Sequence, residues 1–336
     1  GLQLKIRDEV LQEDFTVRAK HMVGALGPWT DAAGTRLHGG WKPVLRPTKG
    51  VHLTFSRERF PLPCAVVMAV EDRIVFAIPR HEMVIVGTTD TDEARLPEEV
   101  HVQTEDVKYL LGVTAKYFPQ AKLTSRDVVS CYVGVRPLVR DEAGSAGKTS
   151  REHQIWTLDQ ATYVCGGKYT TYRRMSQQVV AAALKHFPFE EQARFANSHS
   201  RQALNPRITR EAYRRRFEIQ EELRSSFSDT ETMVEVFLDR FGHECLDFVK
   251  KYPGARSVAA IEAEIAIDTS SCRHLKDFFF RRVPWVLSRP DHGLAFLDDV
   301  AEVFRRRFGW NSQQLDKEIA EYRIQLEQEH RVLSLY

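Results

Sequence analysis

Val164-Cys165-Gly166-Gly167-Lys168-Tyr169-Thr170-Thr171-Tyr172-Arg173 joins an apolar strand to two glycines, a lysine, two threonines and an arginine, and a helix (Met175 to His186) is expected to follow at once. Paired glycines let a backbone approach a ligand closely. A helix start presents unpaired N–H groups and the positive end of a dipole. Lys168 and the hydroxyls of Thr170 and Thr171 add donors. The stretch suits an anionic or carbonyl-rich ligand. Taken alone it is equally a strand-to-helix turn with a capping threonine.

Outward from this turn, the chain of 336 residues is long enough for two domains and a large core. Its 43% hydrophobic and 28% charged residues are ordinary for a globular protein. A net charge of +2 gives no global pull toward nucleic acid. Cys64, Cys131, Cys165, Cys245 and Cys272 are scattered, without CxxC spacing, which fits a reducing, cytoplasmic compartment better than a disulfide framework or zinc site. No apolar run reaches transmembrane length, and the first residues lack a signal-peptide pattern. HExxH, GxSxG and GxGxxG motifs are all absent from the sequence.

Alternation predicts a hairpin from Leu2–Asp8 and Asp14–Lys20 at the start, which is expected to be the remainder of something longer. His21–Asp31 predicts a buried strand ending in Gly-Pro, then a short helix from Thr30 to Gly34. Val44–Arg46 and Val51–Phe55 predict two strands broken by Pro47-Thr48-Lys49-Gly50. Val66–Val70, Arg73–Pro79 and Met83–Thr88 predict three more, at hairpin spacing, hence an antiparallel sheet. Thr104–Phe118 reads as a helix with Glu105 and Asp106 in its first turn. Val128–Val135, Gln154–Leu158 and Ala161–Cys165 read as strands. Beyond Pro188 the pattern becomes helical: Thr209–Ser225, Thr230–Tyr252, Ala259–Ile267, His274–Val283, Gly293–Phe308 and Asn311–Leu326.

Four further constellations could carry chemistry. Arg136, in Gly134-Val135-Arg136-Pro137-Leu138, is aimed by a strand and pinned by proline; it suits an anion, or equally an ion pair with Asp141 or Glu142. Arg151 follows a Gly/Ser-rich loop (Gly144 to Gly147) and could close on a phosphate, or could be a solvated loop charge. Lys49 and His52, in Pro47-Thr48-Lys49-Gly50-Val51-His52, offer a cation and a group able to take a hydroxyl proton, although a strand histidine is often structural. Gly87-Thr88-Thr89-Asp90-Thr91-Asp92 is a ligand-facing turn or a capped loop in which Asp90 and Thr91 satisfy backbone donors. Arg214–Arg216 lies among glutamates and reads as a solvated face, and Arg305–Arg307 is weak evidence for anionic lipid.

Together and in this order, the elements resemble the FAD-dependent glycerol-3-phosphate dehydrogenase family, within the flavin enzymes that carry a D-amino-acid-oxidase type substrate sheet. The resemblance rests on Gly27-Pro28-Trp29, Lys49-Gly50-Val51-His52, Ile78-Pro79, Gly87-Thr88-Thr89-Asp90, Gly134–Leu138, Thr149-Ser150-Arg151 and Gly166–Arg173. In the helical part it rests on Ala263-Glu264-Ile265, Leu275–Phe278, Arg281-Arg282 and Phe308-Gly309-Trp310. Two departures stand out: the family's glycine-rich βαβ unit for the FAD pyrophosphate is not in this sequence, and Gly24-Ala25-Leu26-Gly27 replaces the family's Asn-Ala-Thr-Gly.

The resemblance implies an α+β fold: an incomplete flavin-binding domain (1–40 and 160–188), an antiparallel substrate-binding sheet (41–159) and an all-helical C-terminal domain (189–336). It implies oxidation of sn-glycerol 3-phosphate to dihydroxyacetone phosphate by hydride transfer to FAD in the full-length protein, with FAD binding impaired in this chain. His52, Arg136 and Lys168 are the expected catalytic residues. Arg136, Arg151 and Lys49 are expected on the substrate, and Gly27, Gly167, Lys168, Thr170 and Thr171 on the cofactor. Quinone or oxygen would accept the electrons, with a peripheral contact at the inner membrane. Apolar surface at 24–29 and on the helix after Thr171 would favour a homodimer. Nucleic acid and metal are not expected. The alternative is a non-catalytic module that binds a small phosphorylated ligand.

Overall fold

The structure is a computed structural model and describes residues 1–70, 73–140, 152–195, 210, 214–227, 230–255 and 257–334. The architecture is α+β and divides into two compact units. The first comprises Gly1–Gly50, Asp90–Val100 and Val133–Gln202; the second Val51–Thr89, His101–Tyr132 and Ala203–Tyr336.

In the first unit, β1 (Leu2–Asp8) and β2 (Glu13–Ala19) form the expected hairpin. The strand expected over His21–Asp31 is only β3 (Met22–Gly24); Gly27–Trp29 turns instead as a 3-10 helix with Pro28 at its start. Pro28 has no N–H to give a ladder, and Gly27 takes a left-handed φ of +54°, so extension stops there. Helix α1 (Thr30–Leu37) follows. The Asp31 carboxylate accepts from Trp41 Nε1 (3.0 Å), Val44 N (2.9 Å) and Leu45 N (3.0 Å), fixing where the next strand begins. Later in the chain, β10 (Gln154–Leu158) and β11 (Ala161–Cys165) form an antiparallel pair, and β3 joins β11 in parallel. Tyr163 is fully buried between Trp41 and Trp156, and a Cβ on Gly24 would lie 2.5 Å from its ring. Helix α3 (Tyr172–Leu184) then packs on β10 and β11, starting three residues earlier than expected.

The large sheet has the order β5 (Val66–Val70), β6 (Arg73–Arg80), β7 (Met83–Gly87), β4 (Leu45–Ser56), β8 (Thr91–Asp92), with β9 (Val128–Val139) also on β4. The two strands expected on either side of Pro47–Gly50 are one strand. Pro47 costs the ladder a donor, yet its carbonyl accepts from Glu93 N (3.0 Å), while Thr48 and Lys49 pair with Asp92 and Thr91. In the second unit, α2 (Thr104–Tyr117) packs against β5 and β7, burying Val107, Leu110 and Leu111. The Asp106 carboxylate does more than suit the dipole: it accepts from Gln103 N (3.0 Å) as a cap.

The rest of the second unit is helical and has its own core, centred on α8 (Val258–Ser270), buried on nearly every side. The helix expected over Thr230–Tyr252 is two, α6 (Glu231–Phe241) and α7 (Glu244–Lys251). Gly242, at φ +59°, donates to Leu238 O and turns the chain between them. The last helix, α12 (Ser312–Ser334), continues past the expected end at Leu326.

Candidate functional site

The first unit assembles most of the residues singled out above. Thr30 Oγ1 donates to Gly27 O (2.8 Å) and lies 3.1 Å from Cys165 Sγ, tying the Gly27 turn to the end of β11. Burial pushes the Cys165 thiol up, so it is a packing and hydrogen-bonding group rather than a thiolate. Gly166 and Gly167 follow, both left-handed at φ +71° and +83°. A Cβ on Gly166 would sit 2.7 Å from Glu152 O, and one on Gly167 2.6 Å from Met175 Sδ. Gly166 therefore requires glycine for conformation and space, and Gly167 chiefly for conformation, since the Met175 side-chain end can move. A Cβ on Gly27 would meet nothing within 4 Å, so the backbone there is open to close approach.

Lys168, Thr170 and Thr171 are exposed on the short 3-10 turn before α3. The sequence allows Thr171 to cap that helix. In the structure its hydroxyl bonds back to Lys168 O (2.9 Å), and the cap position accepts no helix N–H. The first turn of α3 thus has no side-chain cap, and the N–H of Tyr172 donates back to Tyr169 O within the preceding 3-10 turn.

Leu45, Val139 and Cys165 form a small buried cluster that packs the start of β4, the end of β9 and the end of β11 together. Lys49 lies four residues past Leu45 and is almost fully buried, at 2% exposure. Arg136, three residues before Val139, reaches Lys49 O (3.3 Å) and Asp90 Oδ1 (3.2 Å) with Nη1. Arg136 is thereby fixed to the main chain at Lys49 on the adjacent strand. Neighbouring acids are paired with other arginines. Asp92 pairs with Arg46 through two bonds (3.1 and 2.8 Å), and Glu93 with Arg95 through two (2.8 and 2.6 Å). The Arg95 guanidinium, helped by Lys49, holds the Glu93 carboxyl down at about 2 despite burial.

The sequence allows the Asp90 loop to face a ligand or to be capped by Asp90 and Thr91, and allows Asp141 or Glu142 to pair with Arg136. The structure gives Asp90 to Arg136, while Asp141, Glu142 and Arg151 lie outside the described residues. In the same loop Thr89 Oγ1 accepts from Val51 N (2.9 Å), so Thr89 does the satisfying of backbone.

His52 belongs to the second unit. It is half-buried on β4, opposite Gly87 on β7. Its ring stacks on Tyr132 of β9 at 4.7 Å and 9°. A Cβ on Gly87 would lie 2.7 Å from His52 Cγ and 2.9 Å from Nε2. Gly87 thus gives the imidazole its place and Tyr132 sets its plane. Burial pushes the Tyr132 phenol up, which keeps it neutral at physiological pH. Neither partner is signalled by local sequence, because both come from other strands. Among the described residues no group of three or more His, Cys, Asp or Glu could hold a metal.

Comparison with known proteins identifies the family. Residues 3–173 match the DAO family of FAD dependent oxidoreductases. The chain is 38% identical over 177 residues to an aerobic glycerol-3-phosphate dehydrogenase of Bacillus subtilis, covering 52% of this chain and 32% of that protein. A Staphylococcus aureus protein of the same name is 36% identical over 180 residues, with 53% and 32% covered. Among solved structures, the glycerol-3-phosphate dehydrogenase of Bacillus halodurans complexed with FAD superposes with a TM-score of 0.71 at 25% identity, covering 97% of this chain and 65% of that one. The match thus spans about a third of the curated relatives' length. With half of its residues matched, the chain belongs to the DAO family of FAD dependent oxidoreductases.

Proposed function

We propose that the full-length protein oxidises sn-glycerol 3-phosphate to dihydroxyacetone phosphate. The observation that carries this reading is Arg136 bonded to the main chain of buried Lys49 on the neighbouring strand, with Leu45, Val139 and Cys165 packing those strands onto the one that ends in Gly166-Gly167-Lys168. The names of the relatives support it.

Arg136, with Lys49 and Arg151, holds the substrate phosphate; guanidinium offers the paired donors that a phosphoryl group accepts best. His52, oriented by Tyr132 and Gly87, takes the proton of the C2 hydroxyl. Lys168 sits between cofactor and substrate. Gly27, Gly167, Thr170 and Thr171 would hold FAD, with Gly27 offering open backbone for it. FAD, when bound, supplies the acceptor for the C2 hydride. Loss of a hydride and a proton converts the secondary alcohol to the ketone, and quinone or oxygen accepts the two electrons afterwards.

Residues 1–40 and 160–188 form the flavin-facing part, 41–159 the substrate sheet and 189–336 the helical domain. FAD retention by the 336-residue chain alone is weak, because its sequence has no GxGxxG turn for the pyrophosphate. Val23, Trp29, Tyr172 and Val180 are exposed and favour association between copies, a peripheral membrane contact being the second use of such surface. A clean monomer by light scattering would count against association.

The test is anaerobic mixing of the FAD-loaded full-length protein with sn-glycerol 3-phosphate. Bleaching of the visible flavin band with formation of dihydroxyacetone phosphate is expected. Substrate binding without bleaching would refute the redox reading in favour of a non-catalytic phosphate-ester module.

A further inference from the structure

The second unit contains a cavity of about 190 Å³ with an unusual lining. Arg80 ends β6 and His81 begins the turn after it, Arg240 comes from the end of α6, and Arg281 and Arg282 come from the end of α9 (Leu275–Arg281). Three elements distant in sequence thus bring four arginines to the lining of one small space. None of these residues belongs to the candidate site above.

The charges do not cancel. Asp277 holds Arg281 (3.0 Å), and buried Glu262 holds Arg240 (2.5 Å). Asp239 is shared by Arg216 and, at 3.5 Å, His81. Arg282 instead bonds only neutral oxygens, Ser270 Oγ and Ser270 O, both at 2.8 Å. Arg80 is exposed. Among the described residues, neither Arg80 nor Arg282 has a carboxylate partner. Arg240 also donates to Arg282 O, which locks the two chains of the lining together. The Ser270 and Glu262 contacts hold Arg282 and Arg240 in fixed poses, so little side-chain entropy is left to lose on binding. Val236, Phe280, Val283 and Pro284 complete the lining.

A net excess of fixed guanidinium in a concave space favours an oxyanion, and the fork geometry of arginine matches tetrahedral phosphate. We propose that this cavity binds a phosphoryl group, carried either by a free phosphate ester or by an anionic lipid headgroup. The site is independent of the redox reaction proposed above.

The experiment is calorimetry of the full chain in an Arg136→Ala background, which removes the candidate substrate cation, with inorganic phosphate as titrant. Arg80→Glu and Arg282→Gln are each expected to weaken phosphate binding by at least about tenfold. Arg80 is exposed, so Arg80→Glu decides the matter even if Arg282→Gln fails to fold. A parallel arm measures pelleting with phosphatidylglycerol vesicles against phosphatidylcholine vesicles. Phosphate binding without pelleting assigns a free ester, and pelleting lost in Arg80→Glu assigns a lipid headgroup. If neither phosphate binding nor pelleting depends on Arg80 or Arg282, the proposal is overturned.

Discussion

The smallest residue near His52 carries much of the constraint on it. Gly87 sits opposite His52 in the strand register, and any side chain there would collide with the imidazole. Gly87→Ala is expected to turn the ring off the Tyr132 stack and lower kcat by about tenfold or more, with little change in substrate affinity, since misplacing a proton acceptor costs the chemical step rather than binding. Steady-state kinetics on the full-length protein check this, and a variant with unchanged kcat would show that His52 does not take the proton. The cations at this scale are legible in sequence: Arg136 beside a proline and Lys49 beside a glycine both stand out. Their partners are not. Asp90 lies 46 residues from Arg136, and Gly87 and Tyr132 reach His52 only through strand pairing, which no local pattern encodes.

Single carboxylates organise the elements of the first unit. Asp31 accepts three donors at the start of β4 and thereby joins α1 to the strand that carries Lys49. Asp31→Ala leaves those donors unsatisfied and is expected to cost about 2–4 kcal/mol, measurable by urea denaturation. A loss below a few tenths would mean water replaces the carboxylate at no cost.

Glu93 anchors the other side of β4 through Pro47 O and Arg95. Its carboxyl is depressed from 4.5 to about 2 in the folded state. A depressed acid stabilises the fold above its unfolded value and loses that contribution as pH falls through the folded value. Wild type should therefore exceed Glu93→Gln in Tm above about pH 4.5, and the gap should close by about pH 2. A gap independent of pH would contradict the ion pair as its source.

Elements with strong local codes, such as β10, β11 and α2, match their sequence reading closely. The continuous β4 and the break at Gly242 do not, because Pro47 is tolerated only through its partner at Glu93, and Gly242 ends a helix inside an otherwise periodic run.

For the whole molecule, the change near Pro188 from alternating to helical periodicity gives the α+β class from the sequence. The division into two units was hidden, because β4 and β9 each run from one unit into the other without any change in composition. The same continuity places Lys49 and His52, three residues apart, in different units. The glycine turn at Gly166-Gly167-Lys168 gains its meaning from what is packed behind it: Cys165 on Thr30 on one side, and Val139 with Leu45 on the other.

Titrating sn-glycerol 3-phosphate into this protein by calorimetry, with Arg136→Ala alongside, bears most directly on whether Arg136 and Lys49 form the substrate cradle. Binding at least about tenfold weaker in the variant is expected, since a charge-assisted contact to phosphate is lost. Equal affinity in the two proteins would contradict it.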